Sequence, residues 1–130
     1  MYLFDTSVCV HILRGDAPSI ARLATLGPDD VALSAMTVAE LRFGAMKGKT
    51  TKQALIKLES FLSVFPILAF DASAAELHAM SRVSLTNAGT PIGERDLVIA
   101  STALAHELIL ATGNVREFKR IPTLKVEAWT

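Results

Sequence analysis

Residues Gly93 to Asn114, GERDLVIASTALAHELILATGN, decide how the chain folds. The segment opens with a charged turn holding Asp96 and continues through small and apolar residues to Leu104. His106 and Glu107 interrupt it, and Leu108–Ala111 follows as a short apolar run. Counting from Asp96 at helical spacing reaches Ile99, Ala100, Ala103 and Leu104, so the carboxylate stands at the head of the most apolar face. A helix apolar nearly all round is buried, and its small side chains let it lie close against a sheet. The run after it is too short for a second helix and reads as a parallel strand covered on both faces.

Outward from this unit, strands and helices alternate. Tyr2–Phe4 reads as a strand leading through Asp5-Thr6 into a helix with Val8, Ile12 and Leu13 on one face. Gly15-Asp16 and Pro18 break that helix, and another is expected over Ser19–Leu26. After the turn Gly27–Asp30 come a strand at Val31–Ser34, a helix at Thr37–Met46 and the loop Lys47–Thr50. An amphipathic helix is expected over Gln53–Val64, then a strand at Pro66–Phe70 whose proline marks a strand start or a sheet edge. Asp71 or Ser73 caps a long helix to about Asn87. A short helix at Val115–Arg120 and a strand at Leu124–Ala128 close the pattern. This alternation predicts an α/β fold of three layers, α/β/α, around a parallel sheet of four or five strands. Ligands of such sheets bind at the carboxyl ends of strands where the strand order reverses. Asp5 and Asn114 both follow strands, at that edge.

The chain has 130 residues, 51% of them apolar and 20% charged, which fits one globular domain over 1–130 with a single core. Its formal net charge is zero, so composition alone does not announce a nucleic-acid binder. The local distribution says more: Arg42, Lys47, Lys49 and Lys52 gather around one loop, and Arg116, Lys119 and Arg120 around another. Each set is either a solvated face or a contact surface for phosphates. No apolar run is long enough to span a bilayer, and no secretion signal is legible at the N-terminus. The lone Cys9 lies on an apolar helix face as a packing residue, and its isolation suits a reducing cytoplasm.

Three carboxylates stand out among 13 acidic residues: Asp5, Glu40 and Asp96. Each also has a plain structural reading. Asp5 would cap the helix that starts at Thr6, Glu40 would complete a capping box Thr37-x-x-Glu40, and Asp96 would sit in a first turn that favours anions. Asp71 and Glu76 occupy comparable positions and are read as structural. What separates the three is convergence: acids near element ends, flanked by apolar residues, cannot be buried together without a counter-charge. A hard divalent cation with oxygen ligands supplies one. No Cys/His grouping suggests zinc, and His11, His78 and His106 are isolated. There is no Gly-rich phosphate loop and no nucleophile elbow.

Phe4-Asp5-Thr6-Ser7, Val38-Ala39-Glu40-Leu41-Arg42-Phe43-Gly44 and Pro91-Ile92-Gly93-Glu94-Arg95-Asp96-Leu97-Val98-Ile99-Ala100 resemble the successive motifs of PIN-domain nucleases. The stretch from Ala111-Thr112-Gly113-Asn114-Val115-Arg116-Glu117-Phe118 to Trp129 resembles the VapC toxins of bacterial type II toxin–antitoxin pairs, in the branch that cuts initiator tRNA in its anticodon stem-loop. By position, Asp5, Glu40 and Asp96 correspond to the family's metal-binding carboxylates. The fourth acidic position falls on Asn114, and Glu117, one helical turn on, supplies the missing charge. Thr6 and Thr112 match small hydroxyl residues lining the site, and Ser7 stands where Asn is usual.

The resemblance implies a magnesium- or manganese-dependent endoribonuclease, a homodimer without membrane attachment, neutralised by a VapB-type antitoxin. Asp5, Glu40 and Asp96 would hold one or two cations at the scissile phosphate, Asn114 would position a water, and Glu117 would ligate or orient at a second cation. Arg42, Lys47, Lys49, Arg116 and Lys119 would engage the RNA backbone, with specificity from the shape of an RNA loop. Two other readings remain open. A receiver-type phosphoacceptor domain has similar layering and acids around magnesium, but it needs paired acids after the first strand and a Lys after a later one. A PIN domain that has lost activity and persists as a binding module is the other.

Overall fold

The structure is a computed structural model and describes residues 1–129; the end of the chain at Thr130 lies outside it. Five strands form one parallel sheet: β1 (Tyr2–Phe4), β2 (Val31–Ser34), β3 (Ile67–Leu68), β4 (Ile109–Thr112) and β5 (Val126–Ala128). Their order is β3-β2-β1-β4-β5. The chain steps from β1 to β2 in one direction and later returns to lay β4 on the other side of β1. The order therefore reverses at β1 and β4, and the crevice expected of such sheets opens beyond their carboxyl ends.

Alternation along the strands sets the layers. Leu3, Ala32 and Leu110 share one register row and one face, where they pack with Ile99, Ala100 and Ala103 of α6 (Glu94–Ala105) and Leu85 of α5 (Ala72–Ala88). Phe4, Leu33 and Ala111 share the next row and the opposite face. There they meet Val8 and Cys9 of α1 (Thr6–Leu13), Leu41 of α3 (Ala35–Met46) and Leu58 and Leu62 of α4 (Thr51–Leu62). The three-layer arrangement expected from the sequence is the one found. Cys9 is fully buried in this second core, as a packing residue.

α6 is buried almost all round, including Ser101 and Thr102. Their hydroxyls donate to the carbonyls one turn back, Ser101 to Leu97 at 2.6 Å and Thr102 to Val98 at 2.9 Å, so they add no unpaired polar group to the core. The helix ends in a Schellman turn, in which Leu108 N–H donates to Ala103 C=O at 2.9 Å and Glu107 N–H to Leu104 C=O at 3.2 Å. That turn uses Leu108, which explains why β4 starts at Ile109, one residue later than the apolar run suggests.

Other boundaries also moved for local reasons. α2 spans Ala17–Leu23, not Ser19–Leu26, because Asp16 caps it through Ser19 N–H and Pro18 sits harmlessly in its first turn. β3 keeps two residues of the expected five; it is an edge strand with Ile67 exposed, and Pro66 contributes its carbonyl to Leu33 N–H. Leu124 belongs to the turn before β5, and α7 is the short Val115–Phe118. Asp71 caps α5 through Ala74 N–H, as read from the sequence.

Candidate active site

Asp5 follows β1 directly and caps α1. Its Oδ1 accepts from Val8 N–H at 3.0 Å and from the Ser7 hydroxyl at 2.6 Å. Its Oδ2 accepts from the Thr112 hydroxyl at the end of the adjacent strand β4. The residue is 4% exposed and fully partnered, so a buried carboxylate is tolerated here by hydrogen bonds. Ser7 also accepts from Gly113 N–H at 3.1 Å, which ties the loop after β4 to the start of α1.

Glu40 lies in the second turn of α3 and does not cap it. Ser34 is the cap, accepting from Thr37 N–H at 3.1 Å, so the capping box has no part here. The Thr6 hydroxyl donates to Glu40 Oε1 at 2.7 Å, and the Arg95 guanidinium stands 3.9 Å from Oε2. Asp96 occupies the first turn of α6, whose cap position is Gly93. The Gly93 N–H is taken by Glu117 Oε1 at 3.1 Å, and Glu117 Oε2 accepts from Asn114 Nδ2 at 2.6 Å. Glu117 therefore fastens the start of α7 to the head of α6. Asn114 is that fastening's second anchor, and its backbone N–H donates to Thr112 Oγ1 at 2.9 Å.

Asp5, Glu40, Asp96 and Glu117 thus gather near the switch point, with Glu40 and Asp96 lining one crevice, and Thr6 donates its hydroxyl to Glu40 while Ser7 and Thr112 donate theirs to Asp5. The electrostatic consequence falls on Asp96, whose carboxyl is pushed up to about 6. Its partial burial contributes most, then the charges of Glu117, Asp5 and Glu40, while Arg95 pulls the other way. A first helical turn ordinarily favours an anion by under about 1 kcal/mol. Desolvation and three like charges outweigh it.

The basic residues separate into different situations. Arg42 forms an ion pair with Glu59 across α3 and α4, both side chains largely exposed, so its charge is already matched. Lys47 lines a cleft beside Glu40, and Lys49, Arg116 and Lys119 are exposed. Arg95 was passed over in the sequence, where it is one charge in the turn before Asp96. Only the packing of α6 against α3 brings it to Glu40.

The donor set fits a hard divalent cation in type and charge: oxygen ligands only, surplus negative charge, and an acid whose proton affinity is raised by partial burial and by its acidic neighbours. Asp5, Glu40 and Glu117 are each tied to hydroxyl, amide or backbone donors. Among the described residues no three Asp, Glu, His or Cys side chains close around a single point.

Comparison with known proteins bears on this arrangement. A family model described as PIN domain matches residues 2–124. The chain is 37% identical to a protein named ribonuclease VapC2 from Rickettsia felis, over 99% of this chain and 98% of the relative. It is 32% identical to a tRNA(fMet)-specific endonuclease VapC from Shigella flexneri, with the same coverage. Among solved structures, VapBC2 from Rickettsia felis bound to a promoter DNA fragment superposes with a TM-score of 0.93 at 36% identity, over 99% of this chain and 98% of the other. DNA-bound VapBC from Salmonella typhimurium gives 0.94 at 32%, again over 99% and 98%. By the family match, by relatives of nearly equal length and by the position of its acidic crevice, this chain belongs to the PIN-domain family.

Proposed function

We propose that the chain is a divalent-metal-dependent endoribonuclease of VapC type, acting on tRNA and held inactive by a VapB-type antitoxin. One observation carries the chemistry: Asp5, Glu40, Asp96 and Glu117, from four separate segments, lie close together at the sheet's switch point, and partial burial together with the other three charges pushes the Asp96 carboxyl up. Such an arrangement is costly in the absence of a cation and is therefore a poor purely structural design. The relatives named ribonuclease and tRNA(fMet)-specific endonuclease support RNA as substrate and tRNA as its class, and the VapBC structures support the antitoxin.

Asp5, Glu40 and Asp96 would hold the cation, magnesium or manganese, with Glu117 completing the charge. Bound there, it offsets the negative charge of the scissile phosphate and makes water a better nucleophile. The chain's own contribution is orientation. Ser7, Thr112 and the Val8 N–H fix both oxygens of Asp5, and Thr6 fixes Glu40. Asn114 and the Gly93 N–H aim Glu117 at the Asp96 side of the crevice. Asn114 acts in this reading as the positioning residue for Glu117.

The test is cleavage of a labelled tRNA pool with manganese and with EDTA. Metal-dependent cutting by the wild type, abolished by Asp96→Asn, is the expected outcome. Because the acids act as one unit, Asp5→Asn combined with Asp96→Asn should be hardly worse than either alone. Near-wild-type cutting by Asp96→Asn removes that residue from the site. A wild type that leaves every RNA intact refutes the ribonuclease reading.

A further inference from the structure

Glu40 and Arg95 stand on the rim between two clefts. One is the acidic crevice with Gly93 and Asp96; the other runs from Thr6 past Phe43 to Lys47. The second cleft is of different character. Phe43 is 65% exposed although it lies on the same helix as the buried Leu41. The Lys47 ammonium sits 5.3 Å from the centre of the Phe43 ring. Arg95 is 75% exposed at its side chain and lies on the boundary. A single exposed phenyl group is ordinary on a protein surface. An exposed phenyl with a Lys ammonium near its ring, in a cleft that Arg95 also lines and that shares Glu40 with the acidic crevice, is a stacking surface with phosphate partners beside it.

We propose that this second cleft is a subsite for one nucleotide of single-stranded RNA, in which the Phe43 ring stacks on the base beside the scissile phosphate while Lys47 and Arg95 hold the neighbouring phosphates. The proposal rests on the ribonuclease reading above. Charge gives the reason the subsite is needed. The acidic crevice repels a polyanion, so the substrate must be held by groups beside it; Arg95 lines both clefts and Lys47 lines the adjoining one. Arg42 of α3 is held by Glu59 away from this cleft, whereas Arg95 meets Glu40 only at 3.9 Å and keeps a 75% exposed side chain. Stacking tolerates any base because every base has a π-face, so Phe43 supplies affinity and register, and the RNA's shape supplies selection.

The experiment measures kcat and KM with manganese on a labelled RNA hairpin cut in its loop, and on the same hairpin carrying an abasic nucleotide beside the cut. Phe43→Leu keeps an apolar side chain on the surface and removes the ring. It should raise KM about 5- to 140-fold, the factor corresponding to loss of one base–aromatic stack, with kcat changed far less. Phe43→Tyr should restore the wild-type KM. The abasic nucleotide should raise KM for the wild type by a similar factor and add little for Phe43→Leu, because both changes remove the same contact. Lys47→Gln should flatten the dependence of log KM on log salt by about 0.7, one phosphate contact on a single strand. A Phe43→Leu enzyme with KM within about twofold of wild type, suffering the full abasic penalty, overturns the subsite and leaves the exposed ring to a protein partner. A wild type that cuts no RNA at all removes the ribonuclease reading and the subsite with it.

Discussion

One oxygen of Asp5 caps α1 and the other accepts from Thr112, so capping employs only half of this carboxylate and the proposed metal-binding role can be tested apart from it. Melting curves separate them. Asn ranks beside Asp as a cap, so Asp5→Asn in EDTA should melt within a few degrees of wild type, or higher because one repelling charge is gone. In saturating manganese the wild type should gain about 2.7 kcal/mol at a hundredfold excess over the dissociation constant, and Asp5→Asn should lose most of that gain. Equal metal-induced shifts in the two proteins would reduce Asp5 to a cap. Asp96 gives a second test, through pH. Its folded-state pKa, about 6, is above its ordinary 3.8. A raised carboxyl contributes stability that is complete below the unfolded value and is lost as pH rises through the folded one. Metal-free wild type should therefore lose stability relative to Asp96→Asn between about pH 4 and about pH 6. Manganese affinity should fall by about tenfold per pH unit below about 6, since the ion displaces the proton. A difference between wild type and Asp96→Asn that stays flat across this window would contradict the assigned repulsion. The sequence offered Asp5, Glu40 and Asp96 as candidates at this scale, because their positions beside strand and helix ends can be counted. It could not offer Arg95, whose relevance depends on which helix lies next to it.

At the scale of elements, α6 ends in a turn that explains the shifted start of β4. Its C-terminus closes through Glu107 at φ 55°, the left-handed conformation that glycine adopts without strain and that Gly89 adopts after α5. Glu107→Gly should therefore stabilise the protein by about 0.5–1 kcal/mol, roughly two to four degrees in Tm, with no change in metal binding. A lowered Tm would show that the Glu107 side chain holds something its exposure conceals. Its N-terminus is closed from afar by Glu117, with Asn114 as the second anchor. Replacing that anchor by a carboxylate, Asn114→Asp, sets two acids 2.6 Å apart where an amide now donates. The metal-free variant should melt lower than wild type and show the larger metal-induced rise, because the added charge is tolerable once a cation is present. Glu117→Gln should weaken the metal-induced rise instead. An Asn114→Asp protein that melts like wild type in EDTA would argue that the Asn114–Glu117 contact carries no weight in solution. The strand limits at β3 and β4 lie one or two residues from those expected because hydrophobicity continues through turns. A Schellman turn takes an apolar residue as readily as a strand does.

For the whole molecule, the last described residue matters as much as the first strand. Trp129 is 2% exposed and packs its ring 4.7 Å from that of Phe4 and 5.6 Å from that of Tyr2, with the Arg22 guanidinium 4.4 Å above it. Its backbone N–H donates to the carbonyl of Thr112, whose hydroxyl holds Asp5. Trp129→Ala should cost about 3–5 kcal/mol, the range for truncating a buried aromatic, and lower Tm by roughly ten degrees or more. A change of a degree or two would mean that the C-terminal segment is not part of the cooperative unit. What the sequence by itself determined was the order and kind of the elements and the three-layer scheme. Apolar residues alternate at two in the strands and recur at three to four in the helices, and both periods are local properties. It also determined which acids were worth watching, since Asp5 and Asp96 stand at helix starts and Glu40 in the second turn of α3. Tertiary structure alone decided that the strand order reverses at β1 and β4, that Glu117 reaches the Gly93 N–H and raises Asp96, and that Arg95 meets Glu40 on the rim beside Phe43. These contacts join residues far apart in the chain, and their electrostatic energies depend on distance and burial. No spacing along a sequence encodes either quantity.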